Sequence, residues 1–140
     1  MDIKSKEEET KNNNEKFIKI EIKKLIEWNE PNGEWCIASD KITKDGYKVG
    51  YMYRERPDSK FPDSGWRFFA GNEDDTYMNN PDNNHIFSIN TICNYDSDII
   101  PYLNSKVGSV YIRSDKNSFE IDDGTKIIII DKQNKENTNI

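Results

Sequence analysis

Between Lys48 and Arg54 the side chains alternate, with Val49, Tyr51 and Tyr53 set against Lys48, Gly50, Met52 and Arg54. A period of two over a run rich in aromatic and β-branched residues specifies a strand. Asp45-Gly46 immediately before it is turn chemistry. Similar short runs recur on either side: Glu34 to Ser39, with Trp35 and Ile37 on one face, then Trp66 to Ala70, Ser109 to Arg113, Ser118 to Ile121 and Lys126 to Ile130. Asp122-Asp123-Gly124 supplies a tight turn between the last two. The stretch from Glu55 to Gly65, with its prolines and acids, reads as a long loop.

Helical spacing is confined to short pieces. Asp74 to Asn79 reads as a single turn of helix, ended by Asn80-Pro81-Asp82-Asn83-Asn84. Ile86, Ile89, Ile92 and Cys93 recur at helical intervals, which predicts a helix over His85 to Asn94. Asp98 is placed to cap another through Leu103, with Pro101 tolerated in the first turn. Phe17 to Trp28 fits both periods, because Ile18, Ile20 and Ile22 alternate while Ile18, Ile22, Leu25 and Ile26 share a helical face. Strands at both ends with short helices between them give an α+β domain on an antiparallel or mixed sheet.

At 140 residues the chain has the length of one domain and can bury roughly two-thirds of its unfolded surface. The expected division is a disordered leader over 1–16, a domain over 17–130 and a flexible tail over 131–140, because the two ends are too polar to offset their ordering entropy. The leader carries no apolar run of a signal peptide, and no stretch approaches the ~20 apolar residues that span a bilayer. With Cys36 and Cys93 each among apolar neighbours, two buried thiols in a reducing cytoplasm is the expected state.

The formal charge of −6, with a pI near 4.9, argues against direct binding of nucleic acid. That charge is localised. From Phe68 to Ser105 there is no Lys or Arg, while Glu73, Asp74, Asp75, Asp82, Asp96 and Asp98 all lie there. Elsewhere twenty acidic residues balance the twenty basic ones. Two readings fit: one acidic face that attracts a basic partner, or a solvated surface that keeps the protein soluble. Arg67, at the head of this stretch, is expected to pair with an acid among Glu73 to Asp75 or with Asp63, or else to meet an anion or a partner.

Catalytic and cofactor signatures are missing. There is no GxGxxG, phosphate loop, CxxC, HExxH or GxSxG. The sole histidine, His85, lies beside an Asn-rich turn and reads as a surface residue. Asp74/Asp75 and Asp122/Asp123 are neighbours in sequence, which does not create opposed carboxylates, and the acids of Asn72 to Asp75 do not follow the EF-hand spacing for calcium. No catalytic residue, metal site or cofactor is therefore expected.

Several linked segments resemble the immunity protein 33-like family: Ala38-Ser39-Asp40-Lys41-Ile42, Val49-Gly50-Tyr51-Met52-Tyr53-Arg54-Glu55, and Asp63-Ser64-Gly65-Trp66-Arg67-Phe68-Phe69-Ala70-Gly71. The resemblance runs on through Glu73 to Met78, Asn80-Pro81-Asp82-Asn83, Ile89 to Ile92, Asp98 to Leu103 and Val107-Gly108-Ser109. It covers about Trp35 to Arg113. It implies a cytoplasmic, non-catalytic protein that binds and neutralises a cognate bacterial toxin, and a basic nuclease is the kind of toxin the charge would attract. Glu73, Asp74, Asp75, Tyr77, Asp82, Asp96 and Asp98 are the expected contact residues. The competing expectation is a regulatory domain that senses a small ligand or cation through its Asp/Asn-rich turns.

Overall fold

The computed structural model describes residues 16–122, and they form one α+β unit. Six strands make a single sheet: β1 (Trp35–Ser39), β2 (Tyr51–Arg54), β3 (Asp63–Phe69), β4 (Asn84–Ser88), β5 (Val110–Arg113) and β6 (Phe119–Ile121). Their order across the sheet is β4-β1-β3-β2-β5-β6. The β1/β3 pair is parallel and all others are antiparallel, so the sheet is mixed. Three short α-helices, α1 (Asp40–Thr43), α2 (Asp75–Met78) and α3 (Ile89–Tyr95), and two 3-10 segments (Pro81–Asn83 and Ser97–Tyr102) fill the connections. No helix among the described residues is long and apolar enough to cross a membrane.

The core lies on one side of the sheet. Cys36 and Ala38 of β1, Met52 of β2, and Trp66 and Phe68 of β3 pack with Ile89, Ile92 and Cys93 of α3 and with Ile99 and Leu103. Trp66 and Phe68 are fully buried and stack 5.8 Å apart, and the indole N–H of Trp66 donates to the Leu103 carbonyl at 3.1 Å. Gly65 lets β3 run close to its neighbour. Its φ of +92° is left-handed, and a Cβ there would lie 2.1 Å from the Glu55 carbonyl oxygen.

Several boundaries differ from expectation, each for a local reason. β3 begins at Asp63, inside the expected loop, because Asp63 to Phe69 are all buried. The alternation of Lys48 to Arg54 holds only over Tyr51–Arg54: Val49 and Met52 are both buried, three residues apart, with Gly50 between. The expected helix over His85–Asn94 is half strand. His85 and Ile86 pair with Ala38 and Ile37, and the helix starts only where the Ser88 hydroxyl accepts from the Thr91 N–H at 3.1 Å. Asp96, not Asp98, caps the next segment, which is 3-10, by accepting the Asp98 N–H at 3.0 Å. The leader apart from Lys16, the turn residues Asp123 and Gly124, the strand at Lys126–Ile130 and the tail lie outside the described residues.

Residues 16–30 are neither helix nor strand. Side chains of α3 hold this segment as an extended strap. Asn90 Oδ1 accepts from Leu25 N at 2.7 Å and Ile26 N at 3.3 Å, and its Nδ2 donates to Lys23 O at 2.8 Å. One helical turn on, Asn94 accepts from Lys23 N at 3.0 Å and donates to Lys23 O at 2.9 Å. The Tyr95 hydroxyl donates to Ile18 O at 2.7 Å, and Ile18 N donates to Thr43 O at 2.7 Å. Main-chain groups of Ile18, Lys23, Leu25 and Ile26 are bonded without a ladder, so neither sequence period decides the conformation. Asn90→Ala is expected to cost about 1–2 kcal/mol, in line with the loss of a few partly exposed hydrogen bonds. Faster trypsin cleavage at Lys23 and Lys24, with the core still protected, is the expected readout.

Candidate docking face

Residues directly opposite one another in adjacent strands share a face. Phe69 lies opposite Tyr51, Arg67 opposite Tyr53, Ile112 opposite Tyr51, and Ile37 opposite both Arg67 and Ile86. All of these point away from Trp66, Phe68 and Met52, which meet the helices. Ile86 is 52% exposed, Ile112 40% and Trp35 38%. Among the described residues this face is exposed at Ile86, Ile112 and Trp35 and buried at Phe69 and at Arg67, which is paired with Asp63 and Glu55.

At its centre three rings touch. Tyr53 and Phe69 stack with centroids 6.0 Å apart, Tyr51 lies 5.7 Å from Tyr53, and Tyr51 lies 6.3 Å from Phe69. With Met78 of α2, Ile112 of β5 and the carboxylate of Glu73, they line an open groove of about 600 Å³. Glu73 is set there by the turn that ends β3, accepting from Ala70 N at 2.8 Å and Gly71 N at 2.9 Å. Burial pushes its carboxyl up, but hydrogen bonds from the Ser39 side chain and these N–H groups outweigh that and hold it below the ordinary value. It is therefore a fixed negative charge.

Beside the rings, Arg67 is nearly buried and bound on all three guanidinium nitrogens. Two bonds go to Asp63 (3.0 and 2.8 Å), one to Glu55 (2.6 Å), and Nη1 also donates to the Trp66 carbonyl. The pairing is with Asp63, not with Glu73 to Asp75.

The acidic residues expected to form one face divide into two groups. Glu73, Asp74, Asp75, Tyr77 and Asp82 gather around α2. Asp74 caps that helix by accepting the Tyr77 N–H at 2.8 Å, Asp75 and Asp82 are exposed, and the Tyr77 ring carries the Lys41 ammonium 5.2 Å from its centroid. Asp96 and Asp98 are elsewhere and neutralised. Asp96 is buried, accepting from Arg113 at 2.7 Å and Val49 N at 2.9 Å, so as a surface contact it is corrected to a structural residue. Asp98 is bound by Arg113 at 3.0 Å and Lys48 at 3.2 Å. Both cations come from outside the cation-free stretch, which sequence position alone concealed.

Other reactive groups are subdued. His85 is half-exposed and its Nδ1 is 2.7 Å from Asp40 Oδ1. Cys36 and Cys93 are buried and unbonded; burial pushes the Cys36 thiol well up and the Cys93 thiol to about 12, far from a reactive thiolate. Among the described residues no group of three or more His, Cys, Asp or Glu side chains is arranged to hold a metal.

The aromatic groove was not anticipated. Its signal was present in Phe68-Phe69, since consecutive aromatic residues on one strand must place a ring on each face.

A family model described as the Immunity protein Imm33 domain matches residues 36–122. No curated protein and no solved structure gives a match.

Proposed function

As the chain belongs to the Imm33 immunity protein family, we propose that it neutralises a cognate toxin by binding it directly, with no chemistry of its own. The observation that carries this reading is the partly exposed sheet face, with half-buried Tyr51 and Tyr53 stacked beside the buried Phe69. A stable complex buries about 800 Å² per partner, with most of the energy in a few aromatic or charged anchors at the centre. Rigid rings on strands supply such anchors at low entropic cost. The acids around α2 form the rim, where charge steers a basic toxin and speeds encounter more than it adds affinity. High, buried thiols and a histidine tied to a carboxylate agree with a non-catalytic role, and the encounter belongs in the cytoplasm of the cell to be protected.

The test is protection of a bacterial host that expresses the toxin encoded beside this chain. Tyr53→Ala is expected to weaken the complex about thirtyfold, the effect of a 2 kcal/mol anchor, with the circular dichroism and melting curve retained. Asp75→Lys with Asp82→Lys is expected to slow association and reduce its salt dependence while leaving dissociation nearly unchanged. Undiminished binding by a Tyr51→Ala/Tyr53→Ala double variant would remove the open face from the interface.

A further inference from the structure

We infer that the Tyr51–Tyr53–Phe69 groove receives a cationic side chain, arginine or lysine, from the protein that docks on the open face. This rests on the reading above that the face docks a protein.

Two arginines of the chain show how it satisfies an aromatic ring beside a carboxylate, and Lys44, between Phe17 and Asp40, does the same. The Arg54 guanidinium lies 5.3 Å from the Trp28 ring centroid and pairs with Glu30 at 2.7 Å. The Arg113 guanidinium lies 4.7 Å from Phe119 and pairs with Asp96 and Asp98. The groove repeats two of the three parts, rings and a carboxylate, and among the described residues no lysine or arginine lines it. Arg67, opposite Tyr53, does not supply the third, because Asp63 and Glu55 already outnumber its charge.

Charge decides between a cationic and a neutral occupant. A leucine or phenylalanine anchor would cover Glu73 and strip its carboxylate of water with no counter-charge, which is costly. A lysine or arginine lays its aliphatic stem on Met78 and Ile112 while its head meets the rings and the carboxylate. Three rings in contact offer a continuous π surface, and the planar guanidinium fits stacking better than ammonium does.

A ligand-independent test uses Nα-acetyl-arginine amide and its neutral isostere Nα-acetyl-citrulline amide, titrated into the full chain and followed by NMR. The arginine probe is expected to shift the ring signals of Tyr51, Tyr53 and Phe69 and the Ile112 methyls, with citrulline at least about fivefold weaker, the loss expected for removing a cation–π and charge contact. Tyr53→Leu should weaken the arginine probe about two- to fivefold, whereas Tyr53→Phe, which keeps the π face, should stay close to the native chain. Equal responses to both probes, or shifts confined to Asp75 and Asp82, would overturn the inference. Toxin protection without an arginine response would sink this inference alone, whereas arginine binding without protection would sink only the functional reading.

Discussion

Arg67→Ala is expected to lower folding stability by about 3–5 kcal/mol, the cost of breaking a buried pair from one side. Asp63 has no exposed surface and receives two of the bonds that Arg67 donates. Without the guanidinium its charge is left inside the sheet, with only the N–H groups of Asp58 (2.7 Å) and Gly65 (2.9 Å) for company. Glu55 is half-exposed and can turn to water, so it adds little. Burial pushes the Asp63 carboxyl up, but Arg67 and the two N–H groups outweigh it and hold it below the ordinary value. A folded value below the unfolded one stabilises above the ordinary carboxylate range, near ~3.9, and that contribution disappears as the pH falls through the folded value. The native chain should therefore lose stability below about pH 4. In Arg67→Ala the same carboxyl is left to burial, which raises it, so acid should narrow the gap between the two proteins. Urea unfolding at a series of pH values checks both the size and the sign.

The second large effect is expected at Asp96→Ala, about 3 kcal/mol, although this residue looks from sequence like one of six equivalent surface acids. Its removal deprives the buried Val49 N–H of its acceptor, uncaps the Ser97–Tyr102 segment and leaves Asp98 as the one carboxylate paired with Arg113 among the described residues. Asp82→Ala, on an exposed residue, should stay within about 0.5 kcal/mol. Denaturant midpoints for the two variants side by side distinguish structural from peripheral acids. A midpoint for Asp96→Ala as mild as that of Asp82→Ala would return Asp96 to the surface set.

These two residues mark what sequence could and could not carry. Local chemistry was legible: the β-propensity of Tyr51–Arg54, the strand that carries Trp66 and Phe68, and the single helical turn beginning near Asp74 all follow from period and neighbours. Whatever depended on a partner far along the chain was not. Ile86 shares helical spacing with Ile89 and Ile92, yet its conformation is set by pairing with Ile37. The charge on Asp96 is cancelled by Arg113, and the strap is ordered by Asn90 and Asn94, more than sixty residues away. The groove combines residues of β2, β3, β5 and α2, so its rings were readable singly and its shape was not.

The clasp formed by Asn90 and Asn94 addresses only peptide N–H and C=O groups of residues 23–26. It is therefore indifferent to the identity of the side chains it holds. Ile22 and Leu25 are 51% and 41% exposed, so substitutions there leave the main-chain grip in place. The segment also lies ahead of the matched family region.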